Sequence, residues 1–496
     1  MTKIASILLI FLCSTLNGWA QTKFDFNTNC FQAYQEIGKL KTKTGQLQIQ
    51  KLQLQQPDNL IPVLLENYID FYTLFFNEDP AEYTSLFPQF QERLNQVEKG
   101  NKSSPFYLYS QAVIRIQRAT VQIKFGNFWD AGWDCRKAFI LLKENKKKFP
   151  QFSPNDLWFG ALEAVIGTVP KGYKWLTSLL GMRGSITQGM QKVRNFTYSN
   201  DPWAKQLFNE SAFVYVYLLF YIQNEKEAAL AFINQKKLDL VNNHLHAFMA
   251  ANLSLNNKEV EYSKNIITSR NKSDEYLQLP IWDFLMGYAK MFHLELPEAI
   301  HHFEQYTKKF KGKFYVKDVY QKISWCYYLQ GNMQQANANK QQAIVKGATF
   351  SDADKKALKD AKEKSWPNTL LLKARLLNDG GYHIDALKQL AGKSLADFNK
   401  EEERLEFVYR IARIYDDLGR KEDAIKNYLN AIKLGENRRE YYAARAALQI
   451  GQIYENNGEK ALAIQYYQKC MSMEDHEYKD SLDQKAKSGI ARCSGN

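Results

Sequence analysis

The chain has 496 residues, 45% hydrophobic and 24% charged, with 12 prolines and 25 glycines and no low-complexity run, so extensive packed cores are expected and disorder is confined to termini and short loops. The formal net charge of +13 suits an anionic partner, yet the lysines are scattered over what read as exposed helix faces, with short clusters at 143–148 and 308–313, so charge alone names none. A phosphate loop, a nucleophile elbow and a Cys/His pair with its usual neighbours are all missing, which argues against the common enzyme classes.

Lys3, an uncharged stretch over 4–16, and then Asn17, Gly18, Trp19 and Ala20 before Gln21 read as a secretory signal peptide cleaved after Ala20. A buried N-terminal helix is the alternative. Lipidation at Cys13 would need a small residue just before it, and Leu12 stands there. The protein is therefore expected to be exported, periplasmic or outer-membrane associated, which leaves nucleic acid an unlikely partner. No later run reaches the roughly 20 apolar residues of a membrane helix. The longest, 157–169, contains Glu163. Five cysteines follow the leader, at 30, 135, 326, 470 and 493; an odd number is not a disulfide framework, and none has zinc spacing. Cys470 with Cys493 is the one pairing worth entertaining, since the last helix should fold back over the last repeat.

In chain order, the first strong element is an apolar helix over 61–76. Ala119, Gly126, Phe128, Ala131 and Ala138 follow as a helix, a turn and a second helix. Residues 157–194 stand apart: Gly160, Ala164 and Gly167 form a smooth helix stripe, Pro170 ends it, a helix runs through Trp175 and Leu180, and Ser185 with Gln188 makes a capping box. A hairpin with so little charge is buried in the solenoid or docks on a lipid or a partner helix. Asp201-Pro202 then starts one helix through Ile222, rich in Phe and Tyr.

Beyond residue 280 a single pattern recurs. Met286, Gly287, Ala299 and Phe303 form one copy, with Leu294 where a turn glycine is expected; Tyr320, Tyr327, Gly331, Ala336 and Ala343 form the next. A capped, charged helix from 351–354 to near Trp366-Pro367 intervenes. A third copy has a helix over 370–378 with Gly381 and Ala386. The two clearest copies are Val408, Ile411, Ala412, Tyr415, Gly419, Ala424, Tyr428, Ala431 and Ala447, Ile450, Gly451, Tyr454, Gly458, Ala463, Tyr467, Cys470, at identical offsets. Small residues let two helices approach, aromatics fill the space beside them, and glycine takes the left-handed turn. A final amphipathic helix over 478–492, with Leu482, Ala486 and Ile490 inward, should cap the array.

In these positions and spacings the chain resembles the tetratricopeptide repeat family. The resemblance implies an all-α, right-handed α-solenoid of helical hairpins that binds a protein or peptide without catalysis or cofactor. It divides the chain into a leader (1–20), an N-terminal helical region with the apolar hairpin (21–205), connector repeats (206–280), a C-terminal array (281–474) and a cap with tail (475–496). It further implies that the first helix of each hairpin lines the concave face through Gln321 and Trp325, Leu371 and Arg375, Tyr409 and Arg413, and Leu448 and Gln452. Chaperone-binding repeats carry a lysine and an asparagine at the places of Tyr409 and Arg413, so capture of a C-terminal carboxylate is not expected. Arg375 and Arg413 offer donors to carboxylates while Trp325 and Tyr409 offer apolar area, so the expected ligand is a peptide of mixed apolar and acidic character.

The order Phe159-Gly160-Ala161, apolar helix, Val169-Pro170, Trp175-Leu176, then 180–184 and Gly189-Met190 is similar to the central signature of the fungal inclusion-body-clearance family and its animal relatives, intracellular proteins of organelle surfaces. The leader departs from that setting, and an exported repeat protein of the Bacteroidota type fits better. His244 with His246 and His301 with His302 are the nearest approach to metal ligands; adjacent or alternate helix positions diverge, so all four are expected as surface residues and no metal site is read. Two readings stand: a protein-binding scaffold of the cell envelope, and an adaptor held at a membrane surface through the 157–194 hairpin.

Overall fold

Helix follows helix through residues 22–168 and 182–494, which the computed structural model describes; residues 1–21, where a leader is expected, 169–181, where the middle of the expected apolar hairpin falls, and 495–496 lie outside them. The isolated pairing of extended backbone among the described residues joins Lys23 to Asn59. The first half comprises α1 (Thr28–Gly38), α2 (Thr42–Gln55), α3 (Ile61–Asn77), α4 (Pro80–Val97), α5 (Phe106–Lys124), α6 (Phe128–Lys148), α7 (Pro154–Gly167), α8 (Ile186–Tyr198), α9 (Pro202–Gln206), α10 (Phe208–Tyr221), α11 (Lys226–Gln235), α12 (His244–Asn256) and α13 (Val260–Ser269). The second comprises α14 (Ile281–Phe292), α15 (Leu296–Lys309), α16 (Val316–Leu329), α17 (Met333–Val345), α18 (Asp352–Lys362), α19 (Thr369–Asp379), α20 (His383–Leu390), α21 (Glu401–Asp417), α22 (Lys421–Gly435), α23 (Tyr442–Asn456), α24 (Lys460–Ser472) and α25 (Lys479–Ser494).

Consecutive helices pack as hairpins, α5 on α6, α14 on α15, α16 on α17, α19 on α20, α21 on α22 and α23 on α24, giving an all-α solenoid. The repeat residues explain the packing. Ala424 and Ala463 are fully buried, and a Cβ on Gly451 would lie 2.7 Å from the Tyr467 ring, so α23 and α24 meet at a distance that admits no side chain there. Gly419 and Gly458 turn with φ of 74° and 81°. Leu294 adopts the same left-handed conformation, φ 61°, where its copy lacks the glycine. The cap forms as α25, with Leu482 and Ala486 buried and Ile490 packed against the array core.

Three elements differ from the sequence expectation. The helix expected to run through Ile222 is two helices: Asp201 caps the short α9, and Leu207, at ψ 15°, ends it while its side chain enters the core. The charged helix stops at Lys362 because Glu363 turns extended, which lets Trp366 fold back onto Tyr328 with ring centroids 4.5 Å apart. Cys470 and Cys493 are both buried and unbonded.

Of the apolar hairpin, α7 and α8 are described. A Cβ on Gly160 would lie 2.8 Å from the carbonyl of Gly189, so the small-residue stripe brings backbone against backbone. Glu163 pairs with Lys192 at 2.6 Å, and Val165 is the exposed apolar side chain of α7.

Two hydrophobic cores result. One runs from Cys30 to Leu376; the other fills the C-terminal hairpins from Leu371 to Cys493. Helix α19 belongs to both, giving Leu372 and Leu376 to the first and Leu371, Ala374 and Leu377 to the second. The solenoid also returns on itself. Gly126, in the α5–α6 turn, lies so close to Phe350 that a Cβ would sit 2.6 Å from the ring, and α19 packs against α14.

Candidate functional site: a cleft along the first helices

Helices α16, α18, α19, α21 and α23 open onto one cleft of about 200 Å³, lined among others by Gln321, Trp325, Arg375, Glu406 and Tyr442. Each is the first helix of a hairpin except α18, which fills the long step between the α17 and α19 hairpins. The ring of Trp325 carries two cations, the Lys322 ammonium 4.2 Å and the Arg375 guanidinium 5.4 Å from its centroid. Gln321 donates to Asp360 at 2.9 Å, and Lys356 pairs with the same carboxylate at 3.1 Å. Across the cleft, Lys340 lies 4.6 Å over Trp366. The lining holds Lys340, Lys356, Arg375 and Lys400 against Asp360, Glu363, Glu402, Glu403 and Glu406, so it presents both signs of charge beside aromatic faces. Burial, with Glu440 and Glu406 nearby, pushes the Glu402 carboxyl above its ordinary range.

The eight residues expected on the groove do not behave alike. Gln321, Trp325 and Arg375 meet in the cleft. Leu371, Tyr409 and Leu448 belong to the packed interior of the array, where Tyr409 rests on Tyr442 at 5.1 Å between centroids. Arg375, Arg413 and Gln452 are half-buried. The two arginines are not free donors, as the sequence suggested: Arg375 pairs with Asp379 at 3.5 Å, and Arg413 with Asp416 and Asp417, both at 3.3 Å. Burial alone would raise Asp417, but Arg413 and Lys258 outweigh it and hold the carboxyl below its ordinary value.

Tyr442 enters the cleft without having been expected there. A larger cavity, of about 680 Å³, was also missed; Phe75, Phe213, Tyr217, Phe248, Phe284 and Tyr315 are among its walls, with the Lys124–Glu78 ion pair at its edge. Its rings come from helices hundreds of residues apart, and the one local hint was the aromatic crowding of α10. Such a space accepts apolar and aromatic groups.

The histidines correct a second expectation. His244 and His246, expected at the surface, are buried at the start of α12. His244 stacks on Tyr276 at 3.8 Å and its Nε2 bonds the Asn271 carbonyl at 2.7 Å; burial pushes its pKa down to about 4. His246 Nε2 bonds the Asn209 carbonyl at 2.9 Å. Both ring positions are set by packing. Among the described residues no group of three or more His, Cys, Asp or Glu side chains is placed to hold a metal ion, and no helix is long and apolar enough to cross a membrane.

The tetratricopeptide repeat family model matches residues 405–437 and 444–476, the α21–α22 and α23–α24 hairpins. No curated protein matches the chain. Among solved structures, the TPR domain of P58(IPK) is 14% identical with a TM-score of 0.23, covering 84% of this chain and 93% of that one. The human IFIT1 dimer with PPP-AAAA is 12% identical with a TM-score of 0.34, covering 90% and 95%. The Cut9–Hcn1 hetero-tetramer of APC/C is 12% identical with a TM-score of 0.28, covering 93% and 95%.

Proposed function

We propose that this chain is a non-catalytic protein-binding scaffold of the cell envelope that receives a segment of its partner in the groove along α16, α19, α21 and α23. Tetratricopeptide repeats are protein-interaction modules. The observation that carries the reading is the convergence of Trp325, Arg375, Glu406 and Tyr442, from successive first helices, on one cleft. Aromatic faces with cations beside them and carboxylates within reach are the surface that a peptide with mixed side chains recognises.

The test uses Lys356→Ala with Arg375→Ala, two half-buried cleft residues whose removal leaves the array core intact. Partner recovered by mild crosslinking from an envelope fraction should be lost while the melting profile holds. Undiminished recovery overturns the groove assignment. Washing that fraction with carbonate should release the protein; retention would favour the adaptor held at a membrane surface.

A further inference from the structure

The aromatic cavity of about 680 Å³ falls within the range of about 300 to 1,000 Å³ that small-molecule sites occupy. Its deepest walls are the buried Phe76, Leu255, Phe284, Tyr306 and Phe310. Tyr221 and Tyr315, 51% and 38% exposed, stand at its mouth. The rings brace one another: Phe76 lies edge-on to Phe248 at 5.1 Å between centroids, Phe284 against Tyr306 at 5.3 Å, and Tyr306 stacks on Phe310 at 4.8 Å. Collapse of the cavity would break those contacts, so its walls are preformed.

Tyr315 is fixed at the mouth against its own backbone preference. Its φ of 60° lies in the left-handed region that a bulky side chain rarely takes. Asp354, fully buried, holds it there: the carboxylate accepts from the Tyr315 N–H at 2.8 Å, the Asp318 N–H at 3.2 Å and the Ser351 hydroxyl at 2.6 Å. Core packing does not call for a strained turn that leaves its ring partly exposed; contact with a ligand at the mouth does.

Each charge in the walls is already answered. Lys124 pairs with Glu78 at 2.6 Å and faces the Phe75 and Phe314 rings at 4.9 and 4.8 Å. Asp318 pairs with Lys322 at 3.0 Å and accepts from the Tyr288 hydroxyl. A charged ligand would enter these aromatic surroundings without a counter-charge, so the cavity suits a neutral one. It also offers a polar handle. The Asn252 amide donates to the Tyr217 and Tyr221 hydroxyls at 3.5 and 3.4 Å, and a phenol that accepts still has its own hydrogen to donate. We propose that this cavity is a binding site for a neutral, mainly aromatic small molecule that presents an acceptor oxygen, a carbonyl or an ether, to Tyr217 and Tyr221. The cleft and the cavity share no lining residue, so this assignment stands apart from the protein-binding reading.

The full chain is titrated with prodan, a neutral naphthalene ketone whose emission reports its surroundings, with naphthalenesulfonate as anionic and benzyltrimethylammonium as cationic competitor. Emission should shift to the blue and saturate at one dye per chain, and neither ion should displace it. Bound dye should raise the melting temperature. Tyr315→Gly removes the mouth ring and relieves the left-handed turn, so it should melt close to the parent while binding about tenfold more weakly. Tyr217→Phe, which keeps the ring and loses the hydroxyl, should also bind more weakly. Trp129→Ala, an exposed ring on α6 outside the cavity, should bind as the parent does. Unsaturable binding, displacement by either ion, or parental affinity in Tyr315→Gly or Tyr217→Phe would overturn the assignment. So would a marked fall in the melting temperature of Tyr315→Gly, since the ring would then serve the core. Displacement of the dye by the crosslinked partner would give the cavity to a protein side chain instead.

Discussion

The ammonium of Lys258 is ion-paired with the carboxylate of Asp417, 159 residues later in the sequence. The turn that carries Lys258 also presses its carbonyl against the third repeat, where a Cβ on Gly381 would lie 2.0 Å from that oxygen. Three left-handed turn residues, Lys258, Leu294 and Gly381, thus mark the line along which the middle of the chain meets the C-terminal array.

Gly381→Ala should consequently cost more than Gly419→Ala. Both glycines have φ above 70°, but nothing lies within 4 Å of a Cβ at Gly419. The Gly419 variant carries only the left-handed penalty of about 1 to 2 kcal/mol. At Gly381 the turn must also shift from Lys258. Urea unfolding of the two variants should rank them in that order, and equal midpoints would remove the turn-to-turn contact.

Ala424→Arg forces a long cation into the fully buried α21–α22 contact, at a cost of roughly 3 kcal/mol or more. Because each hairpin leans on its neighbours, the loss should be local to the second core. Hydrogen exchange should rise across α21 to α24 and stay low in α3 and α5. An unchanged exchange pattern would contradict the repeat register.

The clear repeats were legible because their information is short-range: Ala412, Gly419, Ala424 and Tyr428 each meet residues of the same hairpin. Even the copy without its glycine was placed correctly, since Leu294 can take the left-handed turn at a modest cost. What was hidden depends on closure of the solenoid. The aromatic cavity needs α3, α10 and α14 to meet, the pairing of Lys258 with Asp417 needs the α12–α13 turn to reach α21, and the burial of His244 needs Tyr276. No local pattern records those meetings. The break at Leu207 was hidden for a related reason: a leucine inside an apolar run gives no stop signal, and its ψ is set by the core it fills.

Glu210 supplies a pH test in the N-terminal half. Its buried carboxyl accepts hydrogen bonds from Tyr34 at 3.0 Å and Tyr68 at 2.8 Å, and burial nevertheless raises its pKa from 4.5 to about 7. The folded chain therefore holds this proton where the unfolded chain has lost it. Stability should fall as pH rises from about 4.5 to about 7 and then level, by roughly 3 kcal/mol at most. Glu210→Gln should remove that slope; parallel stability curves for variant and parent would contradict the assignment.

Truncation after Glu474 removes α25, which places Gly489 so close to Tyr467 that a Cβ would lie 2.4 Å from the ring. The exposed faces of α23 and α24 should lower the melting temperature of the second core and promote self-association, read by calorimetry and light scattering. A monomeric truncation of parental stability would mean that α25 is not a cap.

The central claim, that partners enter along the first helices, is tested most directly by site-specific photocrosslinking in cells. A photoreactive residue placed at Lys356 or Glu406, both lining the cleft, should give a discrete adduct with the partner, and one placed at Leu429, 43% exposed on the second helix α22, should give none. Adducts from Leu429 with none from Lys356 or Glu406 would contradict the account.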